Sequence, residues 1–472
     1  MASNVSNNYM LALCKTVYED GVANDKYQSS QFLNDMVKEG LDLGKELKYA
    51  AQYGDGGNYG VEYDLISNNP TSGVRNLEWT AEAGRINGLF FITQPDILFT
   101  DSDKKAYMDA LANNMSGCYS GMSRTLATFL YGGKAGVIDK IQADITLTTL
   151  TDVYIPVTSA GALKMDVGTR IVIATAGAAD SAIPTSPLAA SGAYGTVTKW
   201  DDEGVYVTFE AGFSGLTLYK GDYIELYTAR RGNAYNGIEG LPDIIPYIGH
   251  RDDSDTNWTN YIATDFRGVD RSQAVSKLAG QYVRADSTAT TPNSDALAKL
   301  LMKVKRAGRR SEDIRLVIND NTFSKLADEL KGNTWQSSNA TAAGKIAATV
   351  GINNIGVAFE EAFTNKLYTD PYCTEDLAYA YDKSDFRFRD VGYVASKVLN
   401  PVGNGAEGAY DIEAVGKQGV SDELPSLGNY QKLFQITQNG KDGAGNLWEV
   451  SARIFGLFQS KYTSRNGVAE LV

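Results

Sequence analysis

From Asp101 to Tyr131 apolar residues recur at steps of three and four: Met108, Leu111, Met115, Cys118, Met122, Leu126 and Phe129. That period lays them in one stripe along a helix. Asp101 or Ser102 is placed to cap its first turn, and Gly132-Gly133 to stop it. About 30 residues at 1.5 Å each make a rod roughly 45 Å long. Gly117 and Gly121 lie four apart inside it. They either admit the close approach of another backbone or weaken the helix. This rod is the strongest constraint on the fold.

The segments around the rod differ in texture. Residues 5–50 read as a polar, helical arm with scattered apolar positions, and Tyr53 to Gly60 (YGDGGNYG) breaks it with four glycines in eight residues. Residues 61–100 alternate strand-like runs, Val61 to Ile66 and Gly88 to Thr93, with a turn cluster at Asn68 to Gly73. Downstream, residues 137–229 turn rich in Thr, Val, Ile and Tyr with period-two alternation. Strands are predicted at Asp144 to Val157, Thr169 to Ala174, Tyr194 to Trp200, Val205 to Glu210 and Asp222 to Tyr227. Asp201 to Gly204 reads as a hairpin turn and Ala176 to Ser191 as a long surface loop. Five or so short strands in one block point to a small β-barrel or sandwich.

After Gly232 the structure is mixed. Ser294 caps a helix whose Leu297, Leu300, Leu301 and Val304 share a face and which Gly308 ends. Ile314 to Ile318 is a buried strand, Asn319 to Asn321 a turn, and Phe323, Leu326 and Leu330 mark a second helix. Ile355 to Phe359 and Ala378 to Tyr381 are further strands. Leu433 to Thr437 and Leu447 to Phe458 form a closing hairpin across a Gly-rich turn.

Composition narrows the function classes. The 472 residues suffice for about three domains. A net charge of -13 argues against a dedicated nucleic-acid binder, which carries a basic stripe. The one basic run (Lys303, Lys305, Arg306, Arg309, Arg310) sits at a helix C-terminus, where the dipole favours cations anyway. The single histidine, His250, removes most triad and zinc chemistry. Cys14, Cys118 and Cys373 form no disulfide framework. The polar Met1 to Met10 segment lacks the pattern of a secretory signal, and no run of 18 apolar residues spans a membrane.

The motif search returns loops and turns. Gly403 to Gly408 matches GxGxxG, but Pro401 precedes it and Ala409 to Val415 alternates like a strand, so the strand–turn–helix of a dinucleotide site is missing. Gly132 to Ala135 lacks the rest of a phosphate-binding loop. Asp252, Asp253 and Asp255 near His250 read as a solvated acidic loop beside Arg251. Asp442 to Trp448 fails the spacing of a calcium loop. The acidic pairs Glu360-Glu361, Asp201-Asp202-Glu203 and Glu78 with Glu82 read as solvated turns. No catalytic, cofactor-binding or metal-ligating residue is assigned. The 28 tyrosines suit carbohydrate stacking or large protein interfaces.

The order of elements carries more: an arm, an extended glycine-bounded stretch, one long helix, a β-rich insertion, a helix–strand–helix unit and a terminal hairpin. This order resembles the major capsid proteins of tailed bacteriophages with the Hong Kong 97-type fold. Asp101 to Gly133 looks like the spine helix of the peripheral (P) domain. Tyr235 to Ile245 (YNGIEGLPDII) resembles the segment that follows the insertion, Phe266 to Ser272 (FRGVDRS) the one before the second P-domain helix, and Trp448 to Val472 the last strands.

The resemblance implies an α+β Hong Kong 97-type capsid fold with a P domain, an axial (A) domain, an E-loop and an inserted small β-barrel domain. Residues 1–52 would be the N-terminal arm, 53–98 the E-loop and 99–136 the spine helix. Residues 137–229 would be the insertion (I) domain, 230–340 the P domain continued, 341–430 the A domain and 431–472 the P-domain C-terminal strands. The implied function is self-assembly into hexamers and pentamers of an icosahedral head, put together in the host cytoplasm. Implied partners are other copies of the chain, a separate scaffolding protein, a portal, decoration proteins and double-stranded DNA enclosed without sequence-specific binding. No membrane is involved. Some relatives weld subunits through an E-loop lysine, but no Lys occurs from Ala50 to Asp103. The alternatives are a carboxylate-based glycoside hydrolase and a carbohydrate-binding surface protein.

Overall fold

The computed structural model describes residues 30, 32–33, 36–40, 46–54, 61, 74–93, 104–175, 188, 193–231, 234–235, 237–245, 266–285, 292–307, 314–332, 356–358, 364–390, 435–441, 447–460 and 462–471. The rod is present as one helix, Lys104–Gly132. Met122, Leu126 and Phe129 of the stripe are buried, together with Leu130 and Tyr131. Among the described residues no atom lies within 4 Å of a Cβ built on Gly117 or Gly121. The close approach comes instead at Gly88 of the strand Gly84–Thr93, where a Cβ would stand 2.6 Å from Met122 Sδ and 2.7 Å from Cys118 Sγ.

That strand belongs to a five-stranded sheet centred on the long strand Leu447–Gln459. Gly84–Thr93 pairs along one edge of it, from Gly456↔Gly84 to Leu447↔Thr93. Gln435–Lys441 and Arg387–Asp390 pair with the same strand, both antiparallel. The predicted closing hairpin is therefore present. Val37–Gly40 adds in parallel to Arg387–Asp390.

The expected helical arm through residue 50 is corrected. Only Phe32 and Leu33 are helical among its described residues, and Glu46–Gly54 pairs antiparallel with Arg75–Glu82. The reason lies in the period: Leu47, Tyr49, Ala51 and Tyr53 recur every second residue, which gives one face to a strand. The predicted strand at 61–66 falls, apart from Val61, outside the described residues.

The second body is a six-stranded mixed sheet in the order Gln281–Arg284, Gly467–Glu470, Leu377–Asp382, Ile314–Ile318, Thr364–Thr369, Gly356–Ala358. Side chains alternate between its faces. Ile314, Leu316, Ile318, Ala378 and Ala380 pack with Leu297, Leu300, Leu301 and Val304 of the helix Asn293–Arg306. Val317, Tyr379 and Tyr381 join the cluster that holds Leu126, Leu130 and Tyr131 of the long helix. Small alanines face the helix side and bulky tyrosines the rod side. This sheet draws strands from both sides of residue 340, so the boundary expected between 340 and 341 runs through one hydrogen-bonded unit.

The helix–strand–helix unit stands as predicted, with caps revised. Pro292 precedes the first helix. Ser294 does not cap it but donates from Oγ to Glu329 Oε1 at 2.7 Å, tying the two helices. Asn319 Oδ1 accepts from Asn321 N at 2.8 Å at the start of Asp320–Gly332. Leu300 is fully buried, and its Cδ1 lies 2.7 Å from where a Cβ on Gly467 would stand. Leu300→Ala is expected to cost about 2–5 kcal/mol, read as a lower denaturant midpoint at unchanged slope.

The predicted strands of segment 137–229 are present with revisions: strands at Val137–Lys140 and Thr217–Leu218 and a helix at Ser159–Lys164 are added, and the predicted loop 176–191 lies, apart from Leu188, outside the described residues. Six strands join in the order Val137–Lys140, Tyr223–Leu226, Arg170–Ala174, Gly195–Asp201, Gly204–Phe209, Val153–Pro156. The Asp201 to Gly204 turn is the predicted hairpin. The single strand expected over 144–157 is instead two, Ile145–Thr146 and Val153–Pro156, and the first pairs with Thr217–Leu218. The two end strands of the six share no ladder. Just past the first of them, Gln142 N donates to Pro156 O of the last at 3.0 Å. Ile155, Ile171, Ile173, Val197, Val205, Val207 and Ile224 fill the interior of the six-stranded unit.

Candidate functional site

The hairpin Glu46–Gly54/Arg75–Glu82 is a two-stranded sheet of its own, and a lone ribbon needs packing to be stable. Its inner face supplies it. Ala51 and Trp79 are buried with Val269 and Leu278, and Tyr49, Tyr53, Leu77 and Phe266 pack around them. Trp79 stacks on Tyr49 at 6.4 Å and meets Phe266 edge-on at 5.8 Å. On the outer face Lys48 and Glu78 form an exposed ion pair at 2.9 Å, the kind worth little to stability.

Beneath the hairpin lies a buried group of charges. Phe266 and Val269 close a tight turn in which Arg267 (φ 53°) and Gly268 (φ 81°) are left-handed. Arg267 donates from Nε to Glu239 Oε2 at 2.8 Å, from Nη1 to Tyr49 OH at 2.9 Å and from Nη2 to Phe458 O at 2.8 Å. Its own carbonyl accepts from Thr80 N at 2.8 Å. One buried guanidinium thus joins the hairpin, the long strand Leu447–Gln459 and the 237–245 segment. Burial alone would lower its pKa, but Glu239 and Tyr49 outweigh that and hold it above the usual arginine value. Tyr49 OH in turn donates to Ser460 O at 3.0 Å.

Asp243 stands beside this group. Its Oδ2 accepts from Lys134 N at 2.7 Å and from Gly240 N at 2.8 Å. Burial, with Glu239 adding to it, pushes its pKa up to about 6 against those two amides. Arg271 donates from Nη2 to the Asp243 carbonyl at 3.0 Å, and its guanidinium lies 3.8 Å from the Phe266 ring centre. Burial pulls its pKa down to about 9, opposed by Asp243 and Glu239. The chain leaves for the 137–229 segment and returns from it at this point, with no room for side chains. A Cβ on Gly240 would stand 2.0 Å from Phe129 O, and one on Gly132 2.0 Å from Val137 O.

A second buried hub fixes the arm. Asp370 accepts from Ser30 Oγ at 2.5 Å, Tyr131 OH at 2.9 Å and Phe32 N at 3.3 Å, all on Oδ2. Tyr372 N donates to Oδ1 at 3.0 Å. Phe32 then lies edge-on to Tyr381 at 4.1 Å. Burial raises the Asp370 pKa despite these donors.

The residues weighed for chemistry from sequence do not gather here. His250, Asp252, Asp253, Asp255, Glu360, Glu361, Gly403 to Gly408 and Cys14 lie outside the described residues. Asp201 to Glu203 form a hairpin tip, Glu78 pairs with Lys48, and Cys118 is half-buried against the long helix's neighbours. Cys373 is fully buried. Among the described residues no three His, Cys, Asp or Glu stand together as a metal site, and no helix is long and apolar enough to cross a membrane. Arg267, Asp243 and Asp370 gave no separate sequence signal as a site. Two of their segments, 235–245 and 266–272, stand out in the sequence only through the family resemblance they carry.

No protein-family model matches the sequence, nor does any curated protein. Solved structures do match. A chain of the cyanophage A-1(L) capsid asymmetric unit aligns with a TM-score of 0.54 at 10% identity, over 97% of this chain and 96% of that one. A chain from the capsid of a native GTA particle aligns at 7% identity and TM-score 0.44, over 100% and 99%. One from Mycobacterium phage Ogopogo aligns at 9% and 0.41, over 98% and 99%. The cyanophage match shows that this mixed α+β chain has the fold of a phage capsid protein.

Proposed function

We propose that this chain is the major capsid protein of a tailed phage, assembling into hexamers and pentamers of an icosahedral head around double-stranded DNA. The observation that carries the reading is the match of fold over nearly the full length of a capsid subunit. The site's build supports it. The paired strands 46–54 and 75–82 suit the root of an E-loop that reaches over a neighbouring subunit. In this reading 137–229 is the insertion domain. The net charge of -13 suits a wall that stores DNA without gripping it, because phosphate neutralisation drives non-specific binding. A scaffolding protein, a portal and decoration proteins complete the proposed partners.

Negative-stain microscopy of the purified chain, alone and with a scaffolding protein, tests the reading. Rings or closed shells are the expected result. A chain that stays monomeric in both and hydrolyses glycans would overturn it. The absence of Lys from Ala50 to Asp103 leads to a further expectation. Denatured particles should run as a single monomer band, and a ladder of covalent multimers would contradict it.

A further inference from the structure

The inserted segment 137–229 and the long helix share apolar side chains at the place where a domain on a stalk would have a break. Phe129 of the helix is buried, and its ring enters between the outgoing and the returning chain. A Cβ on Gly136 (φ 60°) would stand 3.0 Å from Phe129 Cε1, 3.1 Å from Ala229 Cβ and 3.4 Å from Leu226 Cβ. On the returning side a Cβ on Gly237 would run into the Phe129 ring itself. One continuous apolar cluster holds Ile173 and Ile224 of the segment's interior, Leu226 and Ala229 at its end, Phe129 of the helix and Val317 of the second sheet.

The short helix Ser159–Lys164 fastens the segment a second time. Thr158 caps it, and Asp139 Oδ2 accepts from Thr158 N at 2.6 Å and from its Oγ1 at 2.7 Å, tying the helix to the strand 137–140. Lys164, buried at the other end, donates from Nζ to Ile138 O at 3.2 Å. Next to this helix Asp166 pairs with Arg124 of the long helix at 3.1 Å. At 1.5 Å per residue, Arg124 lies about 12 Å along the rod from Gly132, where the stalk begins. Asn321 Nδ2 donates to Ser159 Oγ at 2.7 Å and to Glu375 Oε1 at 2.8 Å, which brings in the helix Asp320–Gly332. We infer that the inserted segment is no freestanding domain on a pliant stalk: it folds and opens as one cooperative unit with the long helix and the second sheet, held in one orientation by the Phe129 plug and the 158–166 fastening.

An independent domain closes a core of its own. Here the segment's interior runs on into a side chain supplied from outside it. Swinging the segment about its stalk would draw the Phe129 ring out from between Gly136 and Gly237, exposing apolar surface on both sides. Two chain crossings alone permit rocking, and a further attachment farther along the rod removes it. The polar contacts of the fastening are partly exposed, so they fix orientation more than they add stability. The plug supplies the coupling. A neighbour that touches the segment's outer strands therefore acts on the rod.

The coupling belongs to the single chain, so it is tested on unassembled full-length protein; its failure leaves the capsid reading, tested by microscopy, untouched. Amide hydrogen exchange is followed in increasing urea. The slowest amides of Arg170–Ala174 and of Ile314–Ile318 are expected to open in one event with one denaturant slope. Ile173→Val removes a single methylene from the segment's interior. It should lower protection about fivefold in Ile314–Ile318 as well as in Arg170–Ala174. Phe129→Leu, milder than loss of the whole side chain, should lower both by a common factor. Opening of Arg170–Ala174 at lower urea than Ile314–Ile318, or an Ile173→Val effect confined to the inserted strands, overturns the inference. So does a Phe129→Leu variant that loosens one set of strands alone.

Discussion

Arg267→Ala is expected to destabilise the chain by about 3–5 kcal/mol and to free the hairpin, leaving subunits that do not close shells. The magnitude follows from what remains. Glu239 keeps its place in a buried setting but loses its nearest counter-charge, and stranding one member of a buried ion pair costs about that much. Phe458 O and Tyr49 OH lose a donor at the same moment. Arg267→Gly separates side chain from backbone. It loses the same three donors but takes the left-handed conformation (φ 53°) without the Cβ clash. It should be milder than the alanine variant by about 1 kcal/mol. Urea denaturation ranks the two, and microscopy under assembly conditions reads the hairpin's role. A loss below about 1 kcal/mol in Arg267→Ala, with normal shells, would show that the guanidinium is incidental.

The long helix is legible because its stripe is long and strictly periodic, and the helix–strand–helix unit because the apolar faces of two helices flank a short continuous apolar run. The arm was misread for a physical reason: Leu47, Tyr49, Ala51 and Tyr53 alternate, but their partners Leu77, Trp79 and Ala81 lie about 30 residues away across a glycine-rich stretch. A lone amphipathic strand carries little signal until its mate is known. The charge group was hidden more deeply. Tyr235 to Ile245 and Phe266 to Ser272 stood out by texture, yet nothing local says that Glu239 and Arg267, 28 residues apart, will meet. A lone Arg or Asp in a loop reads as solvated, and only the fold reveals its burial. The sheet that spans residue 340 is equally illegible in the sequence, because strands pair by tertiary context and not by neighbourhood in sequence.

Asp370 makes the same point about the arm and carries the second large effect. Its carboxylate gathers donors from the arm, the long helix and its own loop. Asp370→Ala would leave Ser30 Oγ, Tyr131 OH and the amides of Phe32 and Tyr372 without that acceptor. Each stranded buried donor costs about 1–3 kcal/mol, and relaxation of the arm recovers part of it. A net loss of about 3–5 kcal/mol is expected, with residues 30–33 released from the core. Asp370→Asn keeps one oxygen facing the donors and should lose far less. The pH dependence has a definite sign. Burial raises the folded-state pKa above the ordinary 3.8, so the folded chain holds this proton more tightly than the unfolded one. Stability from this group is greatest at low pH and falls as pH rises from about 4 through the folded-state pKa. The asparagine variant should flatten that part of the profile. A wild-type decline preserved in Asp370→Asn would assign it to other carboxylates. An alanine variant as stable as wild type would mean that Phe32, Leu33 and Met36, with the Val37–Gly40 ladder, hold the arm without it.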